Sequence, residues 1–437
     1  MADPTEVMLE PGRTTFIVLS FEGPDVYSQA GGLGVRVKEL SRALADRGYE
    51  THLFFVGDPS LPAMESGVEG RLTLHRWSQW ISRHHPMGVY SGEEDKIADV
   101  NRSLPIALVA DYIRPATRRG ETVVVLGEEW HLAATMGLLS DALHVAGLRD
   151  RCLLIWNANN HFGFERINWG QLAFVSTITT VSRYMKHIMW RWGVNPIVVP
   201  NGIPGALLTR VSQTQVRAIR AAVDAQAFLF KIGRFSPDKR WHQAMTAVAR
   251  LKDRGLSVKL LIRGGLEPYG AEVLELAAQQ GLTIVPLAER IPDVAALVRT
   301  LRERAGADVW NVTSFLPDDL LPALYASATA TLANSGHEPF GLVGLEAMAS
   351  GGVAFVGSTG EDYAEPFKNA IAIETEDADE IVAYVTHLVE HPDSARNLRI
   401  AAQRTAREYT WQRVIDILLR RLEFIAIKQG LESTPAP

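Results

Sequence analysis

The chain has 437 residues, 47% of them hydrophobic and 22% charged, with a formal net charge of -6. That balance suits a globular protein of about two to three domains with sizeable cores. It argues against nucleic acid as the main partner, since phosphate backbones are met by basic surfaces, and the single cysteine, Cys152, excludes an intrachain disulfide.

In chain order, the opening MADPTEVMLEPGR carries no apolar run to read as a secretory signal, so the cytoplasm is the expected compartment. No segment approaches the roughly 18 uninterrupted apolar residues of a membrane span, so any membrane contact is expected to be peripheral. Short apolar runs at 14–21 (TTFIVLSF), 51–57, 122–127, 152–159 and 176–182 read as buried strands, with helical patterns among the segments between them. A second series follows VNPIVVPNGIP (194–204) and a polar helical stretch, with strands at 227–235, 258–265, 282–287, 328–335 and 353–358. Alternation of this kind predicts two doubly wound α/β domains. We place them at 1–200 and 201–410, followed by a helix at 411–428 (WQRVIDILLRRLEFIAIK) that packs back on the first domain and a disordered tail at 429–437.

Three places carry chemistry. After the first strand, Gly31, Gly32 and Gly34 stand before a helix, where glycines let a phosphate approach backbone N–H groups at a positive helix end. A tight strand-to-helix turn with no ligand is the open alternative. In KIGRFSPDKRW, Arg234 and Lys239 follow a buried strand at its carboxyl end and are placed to clamp a diphosphate, or to pair with Asp238 at the surface. In SGHEPFGLVGLEAMASGG (335–352), two carboxylates lie eight residues apart around a glycine-rich helix start. Glu346, in mid-helix among apolar residues, requires a polar partner. With a diphosphate at the N–H groups of Phe340, Gly341, Leu342 and Val343, that partner would be ribose, and Glu338 would face whatever the diphosphate carries.

HEPFGLVGLEAMASGG closely resembles the Glu-x7-Glu motif of retaining nucleotide-sugar glycosyltransferases of the GT-B fold, in the large family containing glycogen, starch and sucrose synthases. GGLG (31–34), TTVSRYM (179–185), VVPNGI (198–203), GRFSPDKR (233–240) and YTWQRV (409–414) resemble that family's landmarks in its order. The resemblance spans about residues 14 to 425. It implies two Rossmann-like domains facing a cleft, the first for the acceptor and the second for the nucleotide sugar, with the last helix crossing back.

The resemblance further implies that Gly32 donates its N–H to the distal phosphate, with Gly31 beside it, and that Arg234 and Lys239 neutralise the diphosphate. Glu346 would hold the ribose, Glu338 a sugar hydroxyl, and His161, in WNANNHFGF, the region of the anomeric carbon. No cofactor or metal is implied by the resemblance. The expected reaction moves a hexose, UDP-glucose being the preferred donor, to a hydroxyl of a saccharide, small-molecule or lipid-linked acceptor. Gln29 and Val35 replace the lysine and aspartate typical of glycogen and starch synthases, and Arg240 with Trp241 follows Lys239 where glycine is usual. Glu129 and His131, in GEEWHLAATMG, are the acceptor-side candidates. Of two aromatic and cationic stretches, 74–90 suits stacking on sugar rings, a membrane surface, or a partly buried helix with Trp77 and Trp80 packed inward, and 182–194 suits an interfacial helix for a lipid-linked acceptor. A GT-B epimerase or phosphorylase, and a catalytically idle binding protein, are the competing functions.

Overall fold

The computed structural model describes residues 9–357 and 359–431. These form two compact units, one of residues 9–202 with 411–431 and one of Ile203–Thr410.

The first unit is built on an eight-stranded sheet of β1 (Thr14–Leu19), β2 (Glu50–Val56), β3 (Met64–Gly67), β4 (Leu72–Trp77), β5 (Thr122–Glu128), β6 (Cys152–Ala158), β7 (Thr177–Thr180) and β8 (Ile197–Val198). Their order is β3-β4-β2-β1-β5-β6-β7-β8, parallel except where β3 meets β4. All six residues of β1 are buried, as a strand covered on both faces requires. The Gly32–Asp46 helix lays Val37, Leu40 and Leu44 on this sheet, and the Trp411–Lys428 helix adds Val414, Ile415, Leu418 and Leu422 to the same core. The turn that ends this last helix includes Gln429 and Gly430, and Leu431 packs on the core, so the expected tail begins as ordered chain; 432–437 lie outside the described residues.

The stretch 74–90 is not the helix with inward tryptophans that its composition allowed. Residues through Trp77 pair in β4, and the helix that follows spans only Gln79–Ser82, with Trp80 58% exposed. Buried Arg76 gives the reason: it pairs with Asp25 at 2.8 Å, a partner distant in sequence that lets a strand carry a buried cation. In 182–194, Ser182 caps the Arg183–Trp190 helix, which buries Met185 and Met189.

The second unit has seven parallel strands: β9 (Ala227–Ile232), β10 (Val258–Arg263), β11 (Ile284–Leu287), β12 (Val309–Val312), β13 (Ala330–Ala333), β14 (Ala354–Gly357) and β15 (Ile371–Ile373). Their order is β11-β12-β10-β9-β13-β14-β15. Each unit is thus a Rossmann-like sheet whose strand order reverses at its first strand, at β1/β5 and at β9/β13. Open α/β sheets take ligands beyond the carboxyl ends of strands at such a point.

Candidate active site

At the β1/β5 point, the chain leaving β1 is organised by Glu22, which is 5% exposed. Its Oε2 accepts the backbone N–H groups of Ala30 (3.2 Å), Gly31 (2.9 Å) and Gly34 (3.1 Å), and its Oε1 accepts the Tyr90 hydroxyl at 2.6 Å. Gly31, read from sequence as a phosphate donor, therefore has its N–H engaged by an internal carboxylate. Gly32 opens the helix and is exposed. Gly34 serves packing, since a Cβ there would lie 2.7 Å from the Gly23 carbonyl oxygen. The backbone flanking Tyr90 is held by the fully buried Lys96 ammonium, which donates to the carbonyls of Gly88, Val89 and Ser91 and to the Tyr27 hydroxyl. Burial, with no carboxylate paired to it among the described residues, lowers Lys96 to about 8.

The end of β5 carries two buried carboxyls in unlike settings. Glu128 is bridged by Arg36 at 3.2 Å and by the side-chain amides of Asn157 and Asn159. Glu129 has φ +70°, strained for a residue other than glycine. Its Oε1 accepts the N–H groups of Asn159 and Asn160, its Oε2 has no partner among the described residues, and burial, reinforced by Glu128, pushes it up to about 8. His131 is buried, stacks on Phe21 at 4.3 Å and places Nε2 2.8 Å from Glu93; burial lowers its pKa. His161 is exposed, past the end of β6, with its ring stacked on Phe162.

At the β9/β13 point, the two strands pair only through Ala330–Leu229 and Thr331–Phe230. Beyond that they part, and the buried Lys231 amine fills the split, donating to the Leu332 carbonyl at 3.0 Å and to Asn334 Oδ1 at 2.6 Å. Burial holds it well below the usual lysine range. Arg234 is exposed in the loop after β9. Trp241, one of the two residues that stand where glycine is usual, is wholly buried against Phe235 and donates to the Arg234 carbonyl. Arg240 reaches towards Thr375 and Glu376. Lys239 Nζ lies 2.5 Å from Glu338 Oε2 and 3.5 Å from Asp238.

Gly341, at φ +80°, caps the Leu342–Ala349 helix. Leu342 and Val343 belong to its first turn, where N–H groups have no partner inside the helix and the dipole favours an anion. Phe340 precedes it with its ring buried against Tyr363. The polar partner that Glu346 requires is the Tyr325 hydroxyl, which donates to it at 3.0 Å; burial pushes Glu346 up to about 7. Glu361, which no sequence motif pointed to, lies under the Glu338–Gly341 turn. Among the described residues no group of three or more His, Cys, Asp or Glu side chains is arranged to hold a metal, and no helix is long and apolar enough to cross a membrane.

Residues 212–405 match the family described as Glycosyl transferases group 1. The MMP alpha-(1->4)-mannosyltransferase of Mycolicibacterium hassiacum is 26% identical over 421 residues, covering 89% of this chain and 93% of that protein. The GDP-mannose-dependent alpha-(1-6)-phosphatidylinositol dimannoside mannosyltransferase of Mycobacterium tuberculosis is 28% identical over 259 residues, 58% of this chain and 59% of that one. In fold, the sucrose-phosphate synthase of Thermosynechococcus elongatus superposes with a TM-score of 0.65 at 19% identity, over 95% of this chain and 100% of that one.

Proposed function

We propose, from the premise that this chain is a GT-B glycosyltransferase of group 1 acting on a nucleotide-sugar donor, that it transfers a hexose with retention at the anomeric carbon and without a metal. The second unit takes the nucleotide sugar and the first the acceptor hydroxyl. The observation that carries this reading is the Lys239–Glu338 ion pair beside the first turn of the Leu342–Ala349 helix. A cation, a carboxylate and a positive helix end are gathered there, with Arg234 exposed in the same loop as Lys239.

On this reading, the donor diphosphate draws Lys239 away from Glu338, and Arg234 and the N–H groups of Leu342 and Val343 complete its neutralisation. Glu338, released from Lys239, accepts a hydroxyl of the donor sugar, while Glu346 accepts from ribose. We assign His161 to donor-sugar recognition, and Glu129 and His131 to shaping the acceptor side from within, since both are buried. The bond from the anomeric carbon to the phosphate oxygen breaks as the acceptor oxygen bonds to the same face. The acceptor's proton passes to the departing phosphate.

UDP-glucose is the first donor to test. GDP-mannose is the second, favoured by the donor that the Mycobacterium tuberculosis relative is named for. Thermal shift with UDP, GDP and ADP, followed by turnover of the matching nucleotide sugar with and without acceptors, tests the reading. Stabilisation by none of the three overturns it, and nucleotide release without a glycosylated product overturns transfer.

A further inference from the structure

Glu361 is 5% exposed and lies in the segment after β14 that wraps the Glu338–Gly341 turn. Gly360 N–H donates to the Glu338 carbonyl at 2.9 Å, and Glu338 N–H donates to Thr359 Oγ1 at 2.9 Å. A Cβ built on Gly341 would lie 2.7 Å from Glu361 Cγ and 3.3 Å from Glu338 Cγ, so both carboxyl side chains pack against the residue that caps the helix. Glu361 Oε2 accepts from the Thr359 N–H and hydroxyl, at 3.1 and 3.3 Å. Its Oε1 is buried with no partner among the described residues. No cation pairs with Glu361 among the described residues; the nearby Lys239 is paired with Glu338 and Asp238.

A carboxylate cannot be buried beside a second carboxylate, without a cation, at ordinary cost; it takes up a proton instead. We infer that Glu361 is a positioning residue of the donor site, held protonated beneath the Glu338–Gly341 turn so that Glu338 is the single anion of the pair and the helix end stays open to the donor's diphosphate. The inference rests on the donor site proposed above. Burial first, then the charge of Glu338, raises Glu361 to about 8. The charged and titratable groups facing it are Glu338, with Lys239 and Asp238 behind it, and Tyr363 on its own segment, whose hydroxyl donates to the Gly341 carbonyl at 2.5 Å. When Glu361 ionises, the new charge opposes a diphosphate at the same helix end.

The test compares wild type with Glu361→Gln, which keeps the shape and mimics the protonated form. Calorimetric titration with UDP, GDP and ADP is run from pH 6 to pH 9.5. Wild-type affinity for the preferred nucleotide is expected to fall through about pH 8, by up to about tenfold per pH unit. The variant is expected to match wild type within about threefold at pH 6.5 and to lack this fall. Wild-type affinity without a step near pH 8, or the same step in Glu361→Gln, overturns the inference.

Melting curves give a readout independent of nucleotide. A carboxyl whose folded pKa is raised contributes stability that is complete below its unfolded pKa, about 4.3, and is lost as pH rises towards the folded value. The melting temperature of Glu361→Gln should therefore gain on wild type between pH 5 and pH 8 and hold steady above. A constant difference overturns the protonated state even if the variant is poorly stable. Wild type that binds none of the three nucleotides at any pH overturns the donor-site reading, while the melting comparison still judges Glu361.

Discussion

Two helix starts in this molecule look alike in sequence and differ in chemistry. The Gly32–Asp46 and Leu342–Ala349 helices each follow a strand at a reversal of sheet order, each is capped by a glycine, and each has a buried glutamate nearby. At the first, Glu22 is bonded to the N–H groups of Ala30, Gly31 and Gly34, so the positive end already holds an anion. At the second, Glu361 is bonded to Thr359, and the nearest other carboxylate, Glu338, is drawn to Lys239. A glycine-rich turn therefore reports backbone geometry. Whether its N–H groups can meet a phosphate depends on where the nearest carboxylate is bonded.

The sharpest way to break this contrast is to remove the cations from the second start. Lys239→Ala and Arg234→Ala should each lower turnover by about 100- to 1,000-fold, the scale set by losing one charge stabiliser in a preorganised site. EDTA should leave wild-type turnover unchanged. Turnover lost with EDTA and restored by magnesium or manganese would end the metal-free mechanism.

Next in size is Glu338→Gln, expected to lower turnover by about 100-fold while nucleoside diphosphate affinity stays within a few-fold, because a contact with the sugar acts on the transition state more than on the nucleotide. Freed of its ion pair, Lys239 should bind nucleotide no more weakly than in wild type. A loss of affinity as large as the loss of turnover would place Glu338 at the nucleotide instead of the sugar.

What could be read from the sequence divides along the same line. The long apolar strands and the Glu338-to-Glu346 spacing were legible because both are local patterns, of burial on two faces and of residues along one turn-helix unit. Strand β4 was not, because His75, Arg76 and Trp77 break the alternation and Arg76 is reconciled with burial by Asp25, 51 residues away. Glu22 stood in view as EGPDVYSQ, and a carboxylate just ahead of a glycine-rich helix start is a signal for an internal anion. Glu361 gave none: its meaning comes from the wrapping of one segment over another, which no spacing along the chain encodes. Tyr325 as the partner of Glu346 is hidden for the same reason.

Glu22→Ala tests the first helix start directly. It strips the acceptor from three backbone N–H groups and the Tyr90 hydroxyl, and should cost about 2 to 3 kcal/mol of stability, allowing water to satisfy some of them. Inorganic phosphate should raise the melting temperature of Glu22→Ala more than that of wild type, since only the variant has its helix end unoccupied. Equal shifts would mean that Glu22 does not shield this end, and the contrast between the two starts would fail.

The smallest expected effect concerns Glu346, the carboxyl that shares its helix with the open end. If it holds ribose, Glu346→Gln should weaken UDP, GDP and nucleotide-sugar binding alike, by about tenfold, or about 1.4 kcal/mol. The pH dependence has a definite sign. Burial raises Glu346 to about 7, so the folded protein holds a proton that the unfolded chain releases near 4.3, and stability falls as pH rises from about 5 to 7. Ribose hydroxyls donate best to the ionised carboxylate, so nucleotide affinity should move the opposite way and tighten over the same interval. Opposed slopes for melting temperature and affinity, both flattened in Glu346→Gln, are what a buried ribose acceptor requires. Parallel slopes, or affinity unaffected by the substitution, would leave Glu346 with Tyr325 as its only partner and a purely structural role.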